Sequence, residues 1–107
     1  MKTAGTLTAL LNDCAATCDH CAAACLQEAQ VAHLTDCIRT DIACAAVCRT
    51  TAQLLEQGIA EKTALQLCAA VCKLCADECS KHDHDHCRAC AAICTECAAE
   101  CAQGAVL

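Results

Sequence analysis

The chain has 107 residues, a formal net charge of −6, 16 cysteines, three glycines, and no Phe, Tyr, Trp or Pro. That length fits one small domain. The acidic balance argues against nucleic acid, which needs a basic footprint, and no uncharged apolar run reaches the ~18 residues of a membrane span.

Without aromatic residues the core lacks its usual bulk, and thiols, small and buriable, have to fill the space. Abundant Ala and absent Pro favour helix and disfavour sheet. The first residues, MKTAGTLTALLNDC, hold no hydrophobic region followed by a small-residue cleavage site, so no signal peptide is read. A cytoplasmic location is expected, where thiols stay reduced.

Helix 1 is predicted from Thr3 or Thr6, either of which can cap, to about Ala29. It carries Cys14, Cys18, Cys21 and Cys25. This C-x3-C-x2-C-x3-C spacing is the period of one helix face, so the four form a stripe. Leu7, Leu10 and Leu11 extend it toward the N-terminus. A turn is expected around Gln30 to Leu34.

Helix 2 is predicted from about Leu34 to Gln57, with the stripe Cys37, Asp41, Cys44 and Cys48, aspartate in the second place. Gly58 suits the C′ position because it takes φ > 0 without steric cost. Helix 3 begins near Ala60 to Thr63, runs to about Lys81 and carries Cys68, Cys72, Cys75 and Cys79. The segment KHDHDHC then breaks the period. Asp83 or Asp85 can cap helix 4, which ends near Gln103 with Gly104 at C′. Its stripe is Cys90, Cys94, Cys97 and Cys101, with Cys87 one turn ahead.

The predicted fold is all-α: an antiparallel up-down-up-down four-helix bundle with a cysteine-lined core, residues 1–107 forming one metal-binding domain. Stacking the stripes antiparallel predicts four layers. These are Cys14, Cys48, Cys68, Cys101; then Cys18, Cys44, Cys72, Cys97; then Cys21, Asp41, Cys75, Cys94; then Cys25, Cys37, Cys79, Cys90. Beyond the first layer, Leu7, Leu11, Leu55 and Leu65 make an apolar plug. Beyond the last, His33, His82, His84 and His86 converge at a mouth. His20 falls off the stripe and reads as a surface residue.

A reduced, thiol-lined core invites a soft metal: Cu(I), Zn(II) or an iron–sulfur cluster. Cysteines four apart put two sulfurs on one side of a helix, which suits an ion bridged between two thiolates, as Cu(I) accepts. One Cu(I) per thiolate also neutralises a buried core completely. Zinc could use tetrahedral sets, but structural zinc motifs place C-x2-C on turns rather than along helix. Cys87, Cys90, Cys94 and Cys97 have the wrong spacing for a ferredoxin run.

The chain resembles the cysteine-rich four-helix-bundle copper storage proteins, in their cytosolic branch. The resemblance covers nearly all of it and rests on HDHDHC, DCIRTDIACAAVC and the C-x3-C pairs on every helix. It implies a thiol tube holding many Cu(I) ions, ligated by the sixteen cysteines from Cys14 to Cys101. It implies mouth ligands at His33, His82, His84 and His86, a ligand or hydrogen-bonding role for Asp41, and a homo-oligomer. Copper chaperones or small thiols would be the donors. Met1, the single Met, excludes a methionine-lined mouth.

The expected function is cytosolic copper storage and buffering. No constellation pairs a nucleophile with an oriented base, so an enzyme is not expected. The rival readings are a zinc store and a thiol redox sensor, though a sensor needs only two or three reactive cysteines.

Overall fold

The computed structural model describes residues 4–106. Four helices run up, down, up and down: α1 (Ala4–Cys25), α2 (Thr35–Gln57), α3 (Glu61–Cys79) and α4 (Asp85–Ala105), with a 3-10 turn at Val31–Leu34 between the first two. Each helix packs mainly on its two cyclic neighbours, in a rod of 43 × 19 × 19 Å. Alternation of apolar stripe and charged outer face drives this closure: every one of the sixteen cysteines is fully buried, while the Asp, Glu, Lys and Arg residues lie mostly outside.

Local chemistry explains most of the boundaries. Gly58 ends α2 in the left-handed region at φ 68°, and its N–H and that of Ile59 bond back to the carbonyls of Leu55 and Leu54. Ala60 follows with φ 52°, a left-handed conformation that costs an L-residue about 1–2 kcal/mol. Two αL residues so close together reverse the chain in three positions.

Several expected boundaries differ. Helix α1 starts at Ala4, so Thr6 lies inside it rather than capping it; Thr3 and Met1 lie outside the described residues. It stops at Cys25, four residues before Ala29, as Gln27 and Glu28 turn to i−3 carbonyl partners, Ala24 and Cys25. Neither Asp83 nor Asp85 caps α4: the N-cap is His84, in extended conformation and with no side-chain cap bond, and Asp85 is the first helical residue. Asp85 still complements the positive helix end.

Gly104 is not a C′ residue either. It lies within α4, where a Cβ would come within 3.2 Å of Leu65 and 3.8 Å of Leu7. Its role is close packing on the leucine plug, which Leu7, Leu11 and Leu65 form in buried positions with Leu55 partly buried beside them. Arg49 on α2 reaches Asp19 on α1 at 2.7 Å across the outer surface.

Candidate metal centre

Helix period puts the thiols on the inner faces, and antiparallel packing brings their sulfurs into contact. Along single helices, the i,i+4 pairs Cys21–Cys25, Cys44–Cys48, Cys68–Cys72, Cys75–Cys79, Cys90–Cys94 and Cys97–Cys101 sit 3.8–4.0 Å apart. Between helices the sulfurs come as close: Cys37–Cys79 at 3.4 Å, Cys18–Cys94 at 3.5 Å, Cys44–Cys72 at 3.6 Å and Cys48–Cys68 at 3.7 Å. Metal–thiolate bonds of about 2.3 Å span such separations.

The layer register differs from the one read off the spacing. Cys87 does not stand one turn beyond the last layer; it joins Cys21, Cys25 and Cys37. Cys94 packs with Cys14, Cys18 and Cys44, and Cys97 with Cys14, Cys48 and Cys72. The partners within each hairpin are the expected ones, Cys14 with Cys48 and Cys18 with Cys44 on one side, Cys72 with Cys97 and Cys79 with Cys90 on the other, so the α3–α4 pair as a whole is displaced by about one turn against α1.

The four-thiol groups also share members. Cys14, Cys18 and Cys94 are each shared between groups, Cys90 links a central group to the one around Asp41, and Cys21 links that one to the group at the mouth. The tube is one connected sulfur array rather than a row of separate tetrahedral sets. Connected thiols favour bridging coordination, which a low-coordinate monovalent ion accepts.

Asp41 takes the place of a thiol in this wall. Fully buried, its Oδ1 accepts from Cys75 at 3.2 Å, Cys90 at 3.2 Å and Cys79 at 3.3 Å. Burial, reinforced by the neighbouring Cys90 thiol, pushes its carboxyl pKa up to about 12. In the metal-free protein Asp41 is accordingly a neutral acid, a weak ligand until its proton leaves.

At the opposite end from the leucines, the histidines take different partners. His86 Nδ1 lies 3.4 Å from Cys21 Sγ, 3.5 Å from Cys87 and 3.9 Å from Cys25. Burial disfavours its charged form, but the Cys21 thiol and the Glu28 carboxylate outweigh that and raise its pKa. Cys21 is itself lowered to about 5 by hydrogen bonds from the Cys37 and Cys79 thiols. Burial first, and then the charge of Cys21 and Cys37, pushes Cys25 and Cys87 up.

His82, in the connection after α3, donates instead to Glu78 near the end of that helix at 3.0 Å, and His84 pairs with Glu28 at 3.2 Å. His33 is exposed on the rim of a cleft that Glu28, Lys81, His82 and His84 also line. Among the described residues, His86 is the histidine within hydrogen-bonding distance of thiols. His20 is exposed. Sequence reasoning missed Glu28, Glu78 and Leu34. The first two lie off the cysteine stripes; Leu34 is buried at the mouth end although its 3-10 turn has no periodic signature.

The sequence profile of the copper storage protein family matches residues 2–106. The chain belongs to the copper storage protein family. The Cu(I)-bound copper storage protein BsCsp3 superposes with a TM-score of 0.90 at 39% identity, over 94% of this chain and 96% of that one. A cytosolic copper storage protein from Streptomyces lividans holding five coppers gives a TM-score of 0.93 at 40% identity, over 97% and 92%. The Streptomyces lividans protein loaded with 10 copper equivalents gives 0.92 at 41%, over 96% and 83%. These family members share the four-helix bundle and its cysteine-rich core.

Proposed function

We propose that the chain stores and buffers Cu(I) in the cytosol, the ions lying among the sixteen thiols of the bundle, with Asp41 and the mouth histidines as auxiliary ligands. The single observation that carries this reading is the connected sulfur array. One thiolate per Cu(I) leaves the core neutral, whereas Zn(II) held by four thiolates leaves two negative charges per site in a dry interior. Similarity to the Cu(I)-bound and copper-loaded relatives supports the same metal.

Ions pass from the His86–Cys21–Cys25–Cys87 end toward the leucine plug, handed between sulfurs 3.4–4.0 Å apart. Each thiol that binds loses its proton, so affinity rises with pH. Donors are chaperones or small thiols, which can surrender Cu(I) by thiolate exchange. Self-association of bundles is supported by the exposed Ile42, Leu67 and Leu74, and light scattering tests it.

The experiment for storage is a titration of reduced apoprotein with Cu(I) against a competing chelator. Uptake near the cysteine count is expected. Saturation at one to four ions per chain would sink the storage reading, and displacement of the bound copper by equimolar zinc would favour a zinc store.

A further inference from the structure

Glu28 belongs to no thiol stripe. It sits in the turn that follows α1, yet it meets two imidazoles from the start of α4, those of the N-cap His84 and of His86 in the first turn. His86 Nε2 lies 2.8 Å from its Oε2 and His84 Nδ1 lies 3.2 Å from the same oxygen. The two rings stack with centroids 5.2 Å apart and planes inclined by 3°.

A carboxylate oxygen accepts, so the His86 nitrogen that faces it carries the ring hydrogen. In the neutral ring the other nitrogen, Nδ1, then keeps its lone pair. That atom faces the triangle of Cys21, Cys87 and Cys25 at 3.4, 3.5 and 3.9 Å. A carboxylate that holds one ring nitrogen and frees the other is the usual device for orienting a metal-binding histidine.

We propose that Glu28 is the positioning residue of the mouth. It fixes His86 as the Nε2–H tautomer and aims Nδ1 at the outer thiols, so that an arriving Cu(I) meets a mixed nitrogen–thiolate site. The ligand in this inference rests on the copper storage reading; the tautomer does not. Without Glu28 the ring can flip or carry its hydrogen on Nδ1, which points a proton rather than a lone pair at the sulfurs. Sharing of Oε2 with His84 adds an outer step. The His84 side chain is 42% exposed and that of His86 13%, so the stacked pair leads from solvent to the thiols.

Two readouts test this on the reduced full chain: the His86 ring tautomer by 15N NMR under mildly alkaline, metal-free conditions, and the rate of uptake from a Cu(I) chelate. The wild-type ring should be the Nε2–H form. Glu28→Ala should lose that preference and load roughly tenfold more slowly, with the final copper content unchanged. Glu28→Gln, which keeps an acceptor oxygen, should retain the tautomer and most of the rate. In a His86→Ala background, removing Glu28 should slow loading no further.

A wild-type rate in Glu28→Ala overturns the inference. So does slow loading with the tautomer intact, additive slowing with His86→Ala, or an Nδ1–H ring in the wild type. Low copper capacity in the wild type is the failure of the storage reading instead, and the tautomer then decides the role of Glu28 by itself.

Discussion

Replacing Asp41 by Asn should flatten the pH dependence of apoprotein stability. The Asp41 carboxyl is fully buried among Cys37, Cys75, Cys79 and Cys90 and its pKa is pushed up to about 12. An unfolded chain returns it to the ordinary value of about 3.9. Through the neutral range the folded state therefore holds a proton that the unfolded state has released. Stability linked to this group is full below about pH 3.9 and is lost as pH rises toward the folded value.

The slope is about 1.4 kcal/mol per pH unit, so moving from about pH 5 to about pH 7.5 removes roughly 3.4 kcal/mol. Asn has a carbonyl oxygen to accept the thiol hydrogens and nothing to titrate. Titrations away from position 41 are common to both proteins and cancel in the difference. Urea unfolding of metal-free, reduced protein, followed by helical circular dichroism across that range, reads the effect directly. The gap between Asp41→Asn and wild type should widen by about 3 kcal/mol in favour of the variant. Parallel stability curves would refute the reasoning, since they would mean that Asp41 is as ionised in the folded protein as in the unfolded chain.

Other perturbations separate the scaffold from the thiols. Leu11→Ala, in a fully buried plug position, should cost about 3 kcal/mol of apoprotein stability while the copper content at saturation stays that of the wild type. Gly58→Ala, at φ 68°, should cost about 1 kcal/mol, whereas Ala60→Gly at φ 52° should be neutral or stabilising by a few tenths of a kcal/mol; thermal melts of the two variants check the contrast. Copper should stabilise every variant that still binds it, by about 4 kcal/mol for each independent ion present at a thousandfold excess over its dissociation constant, and so raise its unfolding temperature. A chelator should reverse that gain.

How much was legible in the sequence follows from which forces are local. Cysteine spacing within one helix is fixed by the helical period, so the four stripes, the leucine extension at one end and the antiparallel bundle could be read before any coordinates. Gly58 was legible for the same reason: a residue without Cβ at the end of a periodic run ends a helix whatever surrounds it. The relative height of the helices was not. It depends on how the two hairpins settle against each other: α3 and α4 keep their expected register, and the pair is shifted by about one turn against α1, which places Cys87 level with Cys25 and Cys37. No period within one helix encodes that offset.

Asp41 was visible as a break in a stripe, but its neutral, thiol-bonded state required the walls of three other helices around it. Glu28 was invisible as a partner of His86, because 58 residues separate them and only the early end of α1 turns that carboxylate toward the mouth. The sequence by itself determined the number of thiols, their helix faces and the soft-metal chemistry that such a count implies, because residue type and helical period are properties of short segments. The tertiary structure decided which sulfurs touch, that Asp41 is held as an acid, and that His86 is the histidine aimed at them. Those outcomes depend on register and on burial by distant segments, and neither exists until the helices pack.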